Sequence, residues 1–187
     1  MALVDFIAST DRQGQLMLAY AQGDNAAFEE LYLHYKGQLY RFFLRQCGSR
    51  ALAEELYQEL WLRVIRARAS YAHKARFSTW LYHIAHNLLR DHFRRPEPAR
   101  GEEEPDDLHD DDTIDPVQHY DSQEKLQCFL RLLQALPDAQ RQVFLLKEEA
   151  GLSLEEISQV TGASFETVKS RLRYAVKKLR QAVEDAA

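Results

Sequence analysis

Cysteine is almost absent: Cys47 and Cys128 are the only two in 187 residues, far apart and in no Cys-x-x-Cys pair. That spacing argues against a disulfide framework and a cysteine zinc site, and it fits a reducing cytosol. Long apolar runs are missing too. No stretch approaches the roughly 20 apolar residues of a membrane span. Met1 to Tyr20 holds Asp5 and Asp11 and no apolar core, so no signal peptide is expected. There is no phosphate loop, no Gly-rich nucleotide fingerprint and no Gly-x-Ser-x-Gly elbow. His83 and His86 stand three apart, but no matching carboxylate or thiol pattern accompanies them, and the other histidines are scattered. Neither a metal nor another cofactor is expected, and no catalytic residue is identified.

What is present is unevenly distributed. The net charge of −5 averages over three blocks. Residues 1–95 carry 13 Lys/Arg against 9 Asp/Glu, a net of +4. Residues 96–123 carry 1 against 11, a net of −10, together with four of the five prolines. Residues 124–187 carry 10 against 9, a net of +1. The middle stretch, with Glu102–Glu104 and Asp110–Asp112, has too little apolar surface to offset its ordering entropy and reads as a flexible acidic linker. The expected organisation is an N-terminal segment over 1–23, a helical domain over 24–95, the linker over 96–123 and a second helical domain over 124–187.

Both domains read as all-α. Phe28, Leu31, Tyr32, Tyr35, Leu39, Phe42 and Phe43 recur at helical spacing behind a possible cap at Asp24. Leu56, Leu60, Trp61, Val64 and Ile65 line a second helix starting near Ser49, and Trp80, Leu81, Ile84, Leu88 and Leu89 a third starting near Ser78. In the second domain Leu126, Phe129, Leu130, Leu133 and Leu136 form one stripe, Pro137-Asp138 breaks it, and Val143, Phe144 and Leu146 open another. Gly151 ends that helix. Ser153-Leu154-Glu155-Glu156 has the form of a capping box, and Ser164 caps a last helix after the turn Thr161-Gly162-Ala163. No strand alternation or hairpin signal appears.

A short helix, a Gly-containing turn and a longer cationic helix over Gly151 to Arg180 is the helix-turn-helix plan. Its free face carries Ser164, Glu166, Thr167, Lys169, Ser170, Arg171, Arg173, Tyr174 and Lys177. Such a helix can enter a major groove, its N-terminal half at base edges and its cations on phosphates. The alternative is a solvated hairpin with a charged outer face.

Between Tyr71 and Arg95 aromatics and cations interleave: Tyr71, His73, Lys74, Arg76, Phe77, Trp80, Tyr82, His83, His86, Arg90, His92, Phe93, Arg94 and Arg95. Single-stranded DNA favours this mixture, because base faces stack on rings while cations track phosphates. Phe77, Trp80 and Tyr82 could equally be core, and for Trp80, on the apolar stripe, core is the preferred reading.

The run "LPDAQRQVFLLKEEAGLSLEEISQVTGASFETVKSRLRYAVKKLR" resembles the promoter-binding C-terminal domain of extracytoplasmic-function (ECF) sigma factors. "AFEELYLHYKGQLYRFFLRQCGSRALAEELYQELWLRVIRA" followed by "FSTWLYHIAHNLLRDHFRR" resembles their N-terminal domain. Ser164 and Glu166 depart from the Pro and Gly common at the start of that family's recognition helix. The resemblance implies sigma region 2 and sigma region 4 joined by the linker, a cytoplasmic location and no covalent chemistry. It implies that core RNA polymerase is bound, with Glu54, Glu55, Gln58 and Glu59 facing basic residues of the β′ coiled coil, Leu62 packing there, and a further contact on the β flap. Asn87 would read a −10 base, and the loop Ala69 to Arg76 would hold a flipped base. Tyr71, His73, Lys74, Arg76, Phe77, His83, Arg90, Arg94 and Arg95 complete the expected −10 contacts. The helix after Ser164 would read the −35 element, and an anti-sigma factor is the implied regulatory partner. The linker would thread the polymerase or act as a plain tether. A stand-alone helix-turn-helix regulator is the rival reading. It is disfavoured because the first block carries an aromatic-cationic face rather than an apolar pocket.

Overall fold

The computed structural model describes residues 11–94 and 127–185. The expected linker, Arg95, Leu126 and the first ten residues lie outside the described residues. The described residues are helical, with no strand among them.

The first unit comprises α1 (Arg12–Ala21), α2 (Asn25–Cys47), α3 (Arg50–Ala67), a 3-10 turn (Arg68–Ser70) and α4 (Phe77–Arg94). Local chemistry sets the ends. The Asp24 carboxylate accepts from the N–H groups of Ala26 and Ala27 at 3.0 and 3.3 Å, which satisfies donors that have no partner within the helix. Gly48 ends α2 in the left-handed conformation, φ +70°, and Ser49 Oγ then accepts from Leu52 N–H. The apolar stripes of α2, α3 and α4 meet in a core that includes Leu31, Leu39, Phe42, Phe43, Leu60, Val64, Leu81, Tyr82 and Leu89. Helix α1 belongs to this core as well, through the buried Met17 and Tyr20.

The second unit comprises α5, helical over 127–134, α6 (Asp138–Glu148), α7 (Leu154–Thr161) and α8 (Phe165–Asp185). Pro137 stands at the α5–α6 break. The capping box forms reciprocally: Ser153 N–H donates to Glu156 Oε2 at 2.8 Å and Glu156 N–H to Ser153 Oγ at 3.2 Å. Gly162 turns the chain at φ +69°, and Ser164 Oγ accepts from Thr167 N–H at the start of α8. Leu133, Val143, Leu146, Ile157, Val160, Val168 and Ala175 are among its core residues.

The two units are docked, α6 on α2 and α7 on α4. Glu149, just past α6, pairs with Arg45 and lies 3.7 Å from Arg41, while its backbone carbonyl accepts from Gln38 Nε2. Gln134 Nε2 donates to the Arg45 carbonyl at 2.7 Å. At the other end Thr79 Oγ1 donates to Glu156 Oε1 at 3.1 Å, with Arg76 3.8 Å from the same oxygen. His86 on α4 sits at this junction near Gln142 of α6. Desolvation holds its pKa below the ordinary 6.5, reinforced by Arg90 and His83, while the Gln142 amide opposes the shift.

Two outcomes follow. The Glu149 side chain is only 14% exposed and Arg45 18%, so Glu149→Ala leaves a desolvated cation. Docking should weaken by roughly 2–5 kcal/mol, the range for truncating one partner of a buried charge pair, and small-angle scattering should show a larger radius of gyration at unchanged helicity. Arg90 and His83 lie on α4 and act on His86 in both states, so where the junction supplies the desolvation of the ring the parted state takes up the proton first. Docking should be insensitive to pH above about 7 and loosen as pH falls through the ordinary histidine range. A His86→Gln variant should lose that dependence in the same scattering experiment.

Candidate nucleic-acid interface

Three helix faces carry the residues expected to touch DNA or polymerase. The first is α4 with the loop before it. Lys74, Arg76, His83, Arg90 and Arg94 are exposed, and Asn87 is half-buried with its amide nitrogen 3.3 Å from His83 Nδ1. His83, Asn87, Arg90 and Arg94 follow at helical spacing, so they form one polar, cationic line opposite the buried stripe. The loop's rings behave differently. Phe77 is fully buried, Tyr71 is 9% exposed and the His73 side chain 6%. Phe77 packs 5.5 Å from Tyr35 and 5.6 Å from Trp80, and Tyr71 lies 4.9 Å from Trp80. Burial pushes the phenols of Tyr35, Tyr71 and Tyr82 far above their ordinary pKa, so these hydroxyls stay neutral.

Tyr71, His73 and Phe77, expected among the −10 contacts, have their rings buried in this conformation. They form an aromatic floor under the loop: Phe77 packs on Tyr35 and Trp80, Tyr71 on Trp80, and His73 stacks on Tyr71, which removes apolar surface from water. Trp80 is part of that floor, half-buried against the core.

The second face is α8. Glu166, Lys169, Arg173, Tyr174 and Lys177 are exposed, and Thr167, Ser170 and Arg171 half-buried. The Ser164 and Thr167 hydroxyls are 2.8 Å apart and engaged at the helix start. The Arg173 guanidinium lies over the Tyr174 ring, 5.3 Å from its centroid. Lys169, Arg173, Lys177 and Arg180 line one open groove of about 800 Å³ along the helix. Arg180 was not among the expected contacts, although its spacing from Lys177 continues the same line.

The third face is α3. Glu54, Glu55 and Gln58 are exposed, Leu62 is 46% exposed, and half-buried Glu59 pairs with Arg63 at 2.9 Å. An open groove of about 450 Å³ is lined by Glu55, Gln58, Glu59 and Leu62 together with Leu88, Asp91 and His92 of α4. The α4 contribution was missed in the sequence because nothing in α3's own periodicity reveals which helix lies beside it. Among the described residues no group of three His, Cys, Asp or Glu side chains could hold a metal ion.

The sequence matches the family models Sigma-70 region 2 over residues 31–97 and Sigma-70, region 4 over residues 126–179. It is 32% identical over 181 residues to the ECF RNA polymerase sigma factor SigE of Mycolicibacterium smegmatis, covering 94% of this chain and 70% of that protein. It is 31% identical over 174 residues to the ECF RNA polymerase sigma factor SigW of Bacillus subtilis, covering 88% and 92%. The fold is similar to that of CnrH, solved in complex with the cytosolic domain of CnrY, with a TM-score of 0.70 at 20% identity over 94% of this chain and 99% of that one. It is also similar to the sigma factor RpoE of Bartonella quintana, solved with the anti-sigma factor NepR, with a TM-score of 0.65 at 22% identity over 84% and 96%. The chain belongs to the ECF RNA polymerase sigma factors: it is an alternative sigma factor, which binds core polymerase and directs promoter recognition and DNA melting. Among the described residues no helix is long and apolar enough to cross a membrane.

Proposed function

We propose that the three faces divide the work of initiation among them. The α3 face, Glu54, Glu55, Gln58, Glu59 and Leu62, docks on the β′ coiled coil of core polymerase, and the second unit meets the β flap. The α4 line and the loop before it contact the −10 element, with Asn87 reading a base and Arg90, Arg94 and Lys74 holding phosphates. The α8 face enters the major groove at the −35 element. The chain performs no covalent step of its own, works in the cytoplasm and is restrained by an anti-sigma factor. The observation that carries this reading is the segregation of charge by face. An exposed leucine stands among acids on α3, while cationic lines run along α4 and α8 on separate units. Phosphate contacts dominate non-specific affinity and position the protein, so two such lines suit two elements of one duplex.

Reconstituted transcription tests it. A Glu55→Lys, Glu59→Lys double variant should lose at least tenfold in affinity for core polymerase in a pull-down, with unchanged circular dichroism. Unchanged affinity would reject the α3 assignment.

The α8 contacts should separate by kind. Arg173→Ala, on the exposed cationic line, should weaken −35 DNA binding evenly across sequences and flatten the salt dependence by about one phosphate's worth. Arg171→Ala should instead lose roughly 1–3 kcal/mol of discrimination between −35 sequences. Equal loss on every sequence for both variants would leave Arg171 without a reading role.

A further inference from the structure

The loop of residues 71–76 has no regular structure, and it is fastened from a distance. Asp11, immediately before α1, puts one carboxylate oxygen on two groups. Oδ2 accepts from the backbone N–H of Phe77, the first residue of α4, at 2.6 Å across 66 residues of chain. The same oxygen lies 2.9 Å from His73 Nε2. Both side chains are 6% exposed. The carboxylate does not cap α1, the helix it precedes; no side-chain cap bond forms there. It serves instead as the N-terminal anion of α4, where a negative charge is favoured by the helix dipole and the free N–H groups.

Gly14 completes the arrangement. A Cβ at that position would overlap the His73 ring and lie 2.7 Å from Asp11 Oδ2. Only a glycine lets the loop sit this close to α1. The ends of the loop are thereby fixed, at His73 and Phe77, while Lys74 and Arg76 between them stay exposed.

We propose that Asp11 and Gly14 are positioning residues for promoter opening. They hold the loop in the shape that presents Lys74 and Arg76 to DNA as a base leaves the stack. The proposal rests on the reading of this loop as a −10 contact. Unstacking a base costs a few kcal/mol, so a loop already fixed in its receiving conformation lowers the barrier to opening, whereas one that must first order itself adds to it. The brace touches neither the α3 face nor α8, so binding to core polymerase and to −35 DNA is independent of it.

The experiment compares full-length Asp11→Ala, Asp11→Asn and Gly14→Ala in holoenzyme on two templates, a duplex promoter and the same promoter with its −10 region pre-opened as a mismatched bubble. Opening is read as permanganate reactivity of −10 thymines, and transcript yield is measured on both. Asp11→Ala and Gly14→Ala should open the duplex at least tenfold more slowly and transcribe the bubble within about twofold of wild type. Asp11→Asn, which keeps an acceptor for the Phe77 N–H, should fall between. Equal loss on both templates would mean a general folding role and would overturn the proposal, as would wild-type opening by Gly14→Ala and Asp11→Asn. Lys74→Ala and Arg76→Ala test the underlying reading separately. If they open the duplex normally, the loop is no DNA contact and the site reading fails. If they are slow while the Asp11 and Gly14 variants are not, the brace alone fails.

Discussion

Helix α4 is the element through which the parts of this molecule are coupled, and the constraint it meets is geometric. A helix has 3.6 residues per turn, so 18 residues present several stripes at once. One stripe, with Phe77, Leu81, Tyr82, Ala85, Leu88 and Leu89, is buried in the first unit. A second, with Thr79 and His86, meets the second unit. A third, with His83, Asn87, Arg90 and Arg94, remains open to solvent. A change that rotates the helix moves all three together. The fixed aromatic floor and the Asp11 cap at its first residue therefore matter beyond their own contacts.

Carboxylates placed at chain junctions do much of the remaining work. Glu156 closes the capping box of α7 and through its other oxygen accepts from Thr79 while lying near Arg76. The same side chain therefore defines the start of the helix-turn-helix and ties it to the helix carrying the polar, cationic line of His83, Asn87, Arg90 and Arg94. Glu149 does likewise at the end of α6, where its backbone carbonyl and carboxylate both reach α2. An acid contacting arginines in a partly desolvated setting is shielded from bulk water more than a surface pair, so its geometry is held rather than merely permitted.

The sequence made the helices, their caps and the helix-turn-helix legible because those signals are local. The Asp24, Ser49, Ser153 and Ser164 caps each depend on a partner two or three residues away. Helix α1 was not legible. Its buried side chains are few, Asp11 does not cap it, and its reason for being helical lies in packing against the first unit. The role of the loop rings was ambiguous for a related cause. An aromatic beside cations fits both a base-stacking face and a floor under a loop, and it takes the packing on Trp80 and on Tyr35, more than thirty residues away, to bury these rings in this conformation. On α3 and α8 the exposed polar residues were identifiable because they fall opposite a clear apolar stripe. The groove's share from α4, Leu88, Asp91 and His92, required the tertiary arrangement.

The character of the two kinds of contact sets an order of strength. Inside each unit the helices meet through fully buried apolar side chains such as Phe42, Leu60, Leu133 and Val143. Between the units polar ties through Gln38, Arg41, Arg45, Gln134, Glu149, Thr79, Arg76, Glu156 and the half-buried His86 are added to an apolar core that is continuous across both. Apolar burial is insensitive to salt and changes little with pH, whereas ion pairs are screened and a desolvated histidine responds to protons. Only the polar part of the junction therefore answers to salt and protons. Salt and falling pH therefore act first on these polar ties, while the apolar packing inside each unit is left as it is.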